Sequence, residues 1–128
     1  MKRPFLSVTG TLDGDVMGTG SNPKNRAAVF DAQAEGDKYR VVFNRGDHSV
    51  FNGGDVREGA WLARITGDSA SVPDAALVRV IHDRTALLTL KFLDAYLASD
   101  ATVNASAKAW LAKDAAAALG DSAEWSVK

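Results

Sequence analysis

Two short phrases carry the residue types that could do chemistry. Ser7-Val8-Thr9-Gly10-Thr11-Leu12-Asp13 and Arg45-Gly46-Asp47-His48-Ser49-Val50-Phe51 each stand where an apolar run breaks into a turn. Asp13 after one strand and His48 after the next supply two of the three roles of a nucleophile, base and acid triad. The acid orients the imidazole, and the imidazole takes the nucleophile's proton. The third role is not filled. No Gly-x-Ser-x-Gly occurs, and Ser7, Ser21 and Ser49 lack the strand-turn-helix context that strains and exposes a serine. An acid and a base without a nucleophile are expected to be nearly inert, since loss of nucleophile or base costs on the order of a millionfold in rate.

Each residue also has a plainer reading. Asp13-Gly14 is a common turn at a strand end, and Asp15 is a second carboxylate close by. His48 gains weight because it follows Asp13 by one strand-helix-strand unit, which would bring the two loops to the same sheet end. Asp47 offers another carboxylate for the ring. His82 reads as a polar position on a long helix.

Other site chemistries fail on their ligands. Asp13-Gly14-Asp15-Val16-Met17-Gly18 starts like a calcium loop, but Met17 replaces an oxygen ligand and Lys24 stands where the bidentate acid belongs. Gly18-Thr19-Gly20 lacks the third glycine of a dinucleotide site, and no Gly-Lys-Ser/Thr forms a phosphate loop. The two histidines are far apart and there is no cysteine, so neither a zinc site nor thiol chemistry is expected. No metal and no cofactor are called for.

The elements that must position Asp13 and His48 can be read from the patterning. Phe5-Leu6-Ser7-Val8 suits a buried strand, and residues 14 to 24 form a Gly-rich surface loop. A helix opens after Pro23 and runs through Arg26 to Ala32, with Ala27 and Phe30 on one side. Glu35-Gly36-Asp37 stops it, and Tyr39-Arg40-Val41-Val42-Phe43 is a second strand. A helix between two strands is what a parallel βαβ unit requires. Residues 52 to 75 stay unassigned. A long helix from Pro73-Asp74 carries Leu77, Val80, Ile81, Leu87, Leu88, Leu90, Phe92, Leu93, Tyr96 and Leu97 on a wide apolar stripe. Asn104 is the expected cap of a further helix through Trp110 and Leu111 to Leu119, ended by Gly120, and the tail from Glu124 is too short to assign.

The fold class is therefore α/β, a parallel βαβ unit followed by C-terminal helices, in a single domain over residues 1 to 128. A composition of 46% apolar and 24% charged residues is ordinary for a globular chain. Fifteen basic against sixteen acidic residues, without a block of like charge, point to no nucleic acid and no membrane surface. Only Pro4 to Val8 follows the basic start before Thr9-Gly10, too little for a signal peptide, and a cytoplasmic location is expected.

These residues in this order resemble the C-terminal part of an α/β-hydrolase of the dienelactone-hydrolase-like or chlorophyllase-like group. The likeness lies in Val8-Thr9-Gly10-Thr11-Leu12-Asp13, Asn25-Arg26, Lys38-Tyr39-Arg40-Val41-Val42-Phe43 and Gly46-Asp47-His48-Ser49-Val50-Phe51-Asn52-Gly53. The stretches Ala86 to Leu97 and Ala107 to Leu111 are similar to the closing helices of such proteins. The resemblance implies that Asp13 is the triad acid and His48 the triad base, and that the nucleophile and oxyanion-hole elements come earlier in the fold.

The function expected is a truncated α/β-hydrolase-like protein, inactive alone, with Asp13 and His48 as a relic or a half-site. Two alternatives are a half-subunit of a serine ester hydrolase completed by an N-terminal partner chain, and an oligomeric small-ligand-binding protein. Two parallel strands leave both outer edges of the sheet open. Homo-oligomerisation or a complementary hydrolase half is therefore the expected partner.

Overall fold

The computed structural model describes residues 3–14, 20, 22–52 and 75–128. Asp15, Ser21, Pro73-Asp74 and the unassigned stretch between residues 53 and 74 lie outside the described residues. The fold is a mixed three-stranded sheet with helices on its two faces. Strand β1 (Phe5–Leu12) leads through helix α1 (Pro23–Asp31) to strand β2 (Lys38–Asp47), and β1 and β2 are parallel. Asn22 opens α1: its side chain accepts the Asn25 N–H, and Pro23 sits at the first helical position, where its missing N–H costs nothing.

A short 3-10 turn (Ser49–Asn52) follows β2. Helix α2 (Ala75–Leu97), α3 (Ala101–Lys113) and α4 (Ala115–Leu119) come next, and strand β3 (Ala123–Val127) closes the sheet. Among the described residues no helix is long and apolar enough to cross a membrane.

Alternation along β2 decides where the core lies. Tyr39, Val41 and Phe43 are buried and face one side, together with Leu6 and Val8 of β1 and Ala123 and Trp125 of β3. Ile81 and Leu88 of α2 and Leu111 of α3 cover that side. Ala95 of α2 and Ala107 of α3 are buried in the same cluster, and the two helices pack against each other. The intervening residue Arg40 turns to the other face, where its guanidinium lies 4.8 Å from the ring centre of Phe30 on α1. The two layers are thus built on period-2 patterning in the sheet.

Two expectations about the chain's C-terminal part need correction. The tail is a strand, antiparallel to β2, with Tyr39 opposite Val127 and Val41 opposite Trp125. β2 is therefore the central strand rather than an open edge, and β1 and β3 are the edge strands among the described residues. Trp125 anchors the added strand by stacking on Tyr39 at 5.7 Å and donating its indole N–H to the Leu111 carbonyl. Helix α3 also starts four residues earlier than an Asn104 cap predicts, at Ala101. Asp100 is the N-cap of α3, and its carboxylate accepts from the Thr102 and Val103 N–H groups. The Asn104 amide instead reaches back to the Asp94 and Ala98 carbonyls at the end of α2. It acts as a C-terminal cap for the preceding helix.

Candidate functional site

The site begins with an irregularity between the two parallel strands. Register runs evenly from Phe5 opposite Lys38 to Gly10 opposite Phe43, then shifts so that Leu12 pairs with Asp47. Asn44, Arg45 and Gly46 face only Thr11, so β2 bulges there. Arg45 sits in the left-handed region at φ 60°, a conformation that costs a non-glycine residue about 1–2 kcal/mol. Its N–H is held by the Thr11 hydroxyl oxygen at 2.9 Å. The bulge turns the chain end of β2 toward β1, and His48 arrives above the loop that carries Asp13.

Asp13 is 3% exposed, a buried carboxylate just past the end of β1. Such a group requires partners for both oxygens. Thr9, one turn back on β1, donates its hydroxyl to Asp13 Oδ2 at 2.8 Å. Oδ1 has two partners: His48 Nδ1 at 3.1 Å and Arg26 Nε at 3.2 Å. The same Arg26 Nε–H also reaches the Asp13 main-chain carbonyl at 3.0 Å, and Arg26 Nη2 lies 3.4 Å from His48 Nδ1. The Asp13 N–H closes a turn onto the Gly10 carbonyl.

The sequence-read pair Asp13 and His48 is therefore brought together. An ionised carboxylate can only accept, so the 3.1 Å contact is a hydrogen bond when Nδ1 carries the proton, and in the neutral ring that tautomer leaves Nε2 with its lone pair. The His48 side chain is 37% exposed against 4% for that of Asp13. A half-open imidazole backed by a buried acid can orient itself, accept a proton at Nε2 from a hydroxyl, and later return it.

The other sequence candidates separate from this pair. Asp47 Oδ1 accepts the Val50 N–H at 3.1 Å and so serves the turn after β2. His82 on α2 places Nε2 2.7 Å from the Val50 carbonyl, tying the long helix to the same turn. It positions the segment that follows His48. Ser7 lies in mid-β1, away from the strand end that carries Asp13.

Arg26 is the site residue that the sequence reading did not assign a role. Its position at the first turn of α1, after Asn22-Pro23, is visible in the sequence. What brings it to Asp13 is the packing of α1 across the sheet. Among the described residues no cluster of three or more His, Asp or Glu could hold a metal ion.

Comparison with family models, with curated proteins and with solved structures gives no match for this chain.

Proposed function

We propose that Asp13 and His48 are the acid and base of a serine ester hydrolase of α/β-hydrolase type, a half-site that is inert until a nucleophile-bearing segment completes it. The observation that carries this reading is the 3.1 Å contact between Asp13 Oδ1 and His48 Nδ1, from a buried acid to a half-exposed ring. Carboxylate on Nδ1 and Nε2 free is the arrangement in which histidine acts as a general base. The strand ends also agree: the acid follows β1 and the histidine follows its parallel neighbour β2, in the chain order of the α/β-hydrolase triad.

A second feature supports completion from elsewhere. β1 is an edge strand among the described residues, and a further parallel strand added there would bring its own C-terminal loop to the same sheet end as Asp13. In such a complex the incoming serine would give its proton to His48 Nε2 while Asp13 stabilised the imidazolium through Nδ1. Backbone N–H groups of the incoming segment would have to hold the oxyanion.

The coding sequence immediately upstream tests this. A Gly-x-Ser-x-Gly phrase there, and hydrolysis of a chromogenic ester on co-expression of that segment with this chain, are the expected results. Absence of the phrase, or ester hydrolysis unaffected by His48→Ala in the assembled protein, would remove the proposal.

A further inference from the structure

Three side chains hold the Asp13 carboxylate, Thr9 at Oδ2 and two others at Oδ1, of which His48 is the one an acid and base pair needs. The third is Arg26. We propose that Arg26 is a positioning residue that fixes the tautomer of His48 by holding Asp13 Oδ1 against Nδ1. The catalytic meaning of that role rests on the hydrolase reading above, whereas the ring proton itself can be observed in the isolated chain.

The geometry gives one N–H an unusual span. Arg26 Nε reaches the Asp13 carbonyl at 3.0 Å and the Asp13 Oδ1 at 3.2 Å, so it bridges the main chain and the side chain of the same residue. Without it, the carboxylate would keep Thr9 on Oδ2 and could swing about its terminal torsion, which is a broad, weakly restrained rotation. Oδ1 would then leave Nδ1.

Arg26 Nη2 adds a second constraint. It lies 3.4 Å from His48 Nδ1, and an arginine N–H can only donate. With the proton on Nδ1 the two groups are both donors and do not bond. With the proton on Nε2, Nδ1 becomes an acceptor for Nη2. The ring proton therefore has two stations, and the position of Oδ1 selects between them. The shorter contact, to a charged acceptor, favours Nδ1–H. Arg26→Ala removes Nη2 together with the Nε clamp, so neither station is held and the choice reverts to the neutral imidazole's intrinsic preference for the proton on Nε2. Lysine cannot substitute, because its ammonium is a point charge without the planar fork that serves Nε and Nη2 at once.

The test is a two-bond nitrogen–proton correlation spectrum of ring-labelled His48 in its neutral form. His82 is assigned by its own substitution. The wild-type chain is expected to show Nδ1 protonated and Nε2 bare. Arg26→Ala, in a chain whose amide spectrum stays native, is expected to lose the Nδ1–H resonance and to shift Nε2 toward its protonated position. Arg26→Lys keeps the charge and carries the test if Arg26→Ala does not fold, with the same loss expected. A native-like Arg26→Lys or Arg26→Ala chain with the wild-type His48 pattern overturns the proposal. A tautomer change on Arg26 substitution without any hydrolase activity in the assembled protein would leave this role standing and reject the hydrolase reading.

Discussion

Gly10 and Gly46 touch through their backbones: a Cβ built on Gly10 would lie 2.7 Å from the Cα of Gly46 and closer still to its carbonyl. This contact lets the β2 bulge lie flat against β1, three residues before Asp13 on one strand and two before His48 on the other. The close approach is therefore what sets the height of the histidine over its acid.

Gly10→Ala is expected to destabilise the fold by about 1–3 kcal/mol or more, because the obstructing atoms are backbone and cannot rotate away. Gly46 is less confined. A Cβ there would meet the Phe43 Cβ at 3.2 Å and, at 3.4 Å, both the Gly10 Cα and the Ile81 Cδ1, none as close as the carbonyl of Gly46 would be to a Cβ on Gly10. Urea denaturation of the two variants should rank Gly10→Ala as the more damaging. Equal midpoints would mean that the bulge relaxes without cost.

Tyr96 gives a pH signature. Its hydroxyl lies 2.9 Å from that of the buried Tyr39, and burial, with the Tyr39 hydrogen bond next in weight, pushes the Tyr96 phenol well above its ordinary 10.0. The native state keeps this proton where the unfolded chain releases it, so the unfolded state binds fewer protons and stability falls as pH rises through about 10. Below that pH the two states hold the same proton and the contribution is flat. Tyr96→Phe should show a shallower loss of stability between pH 9 and 11 than the wild type. Parallel curves would remove this group as the cause.

Lys128 serves the end of α1 from the far end of the chain. Its ammonium reaches the Asp31 carbonyl at 2.9 Å and the Phe30 carbonyl at 3.2 Å, and it lies 4.9 Å from the Phe30 ring centre. These carbonyls lie at the negative end of the helix dipole, and that of Phe30 also accepts the Gln33 N–H. Lys128→Met is expected to cost about 0.5–1.5 kcal/mol, measured by thermal or urea unfolding. A neutral result would mean that water replaces the ammonium at those carbonyls.

Much of the site was legible in the sequence because its logic is local. Leu12-Asp13-Gly14 and Gly46-Asp47-His48 mark strand ends by composition, and the helix between the strands dictates that both ends point the same way. Arg26 was not assigned a role, since its reach to Asp13 depends on how α1 packs across the sheet, a distance no spacing encodes. The tail was unassigned for a similar reason. Ala123–Val127 is short, and it becomes a strand only because β2 offers an edge and Tyr39 offers a face for Trp125. Asn104 misled because an Asn near a helix start can serve either helix. Here the sharp turn after α2 leaves the Asp94 and Ala98 carbonyls within its reach, while Asp100 takes the cap.

The capping reading has its own check. Asp100→Ala removes the acceptor of two N–H groups at the start of α3 and is expected to cost about 1 kcal/mol. Asp100→Asn should retain most of that stability in the same urea titration. A larger loss in Asp100→Asn than in Asp100→Ala would contradict the assignment.

The central proposal, that Asp13 and His48 are the acid and base of a half-site, is tested most directly by active-site labelling. A fluorophosphonate probe, read out by intact mass and peptide mapping, is expected to leave the isolated chain unlabelled. When the segment encoded upstream is co-expressed, the probe is expected to label one serine of that segment. His48→Ala should then abolish the labelling, and Asp13→Asn should slow it by several orders of magnitude, on the order of ten thousandfold. A labelled serine in the isolated chain, or labelling of the assembled protein that ignores His48, would contradict the account.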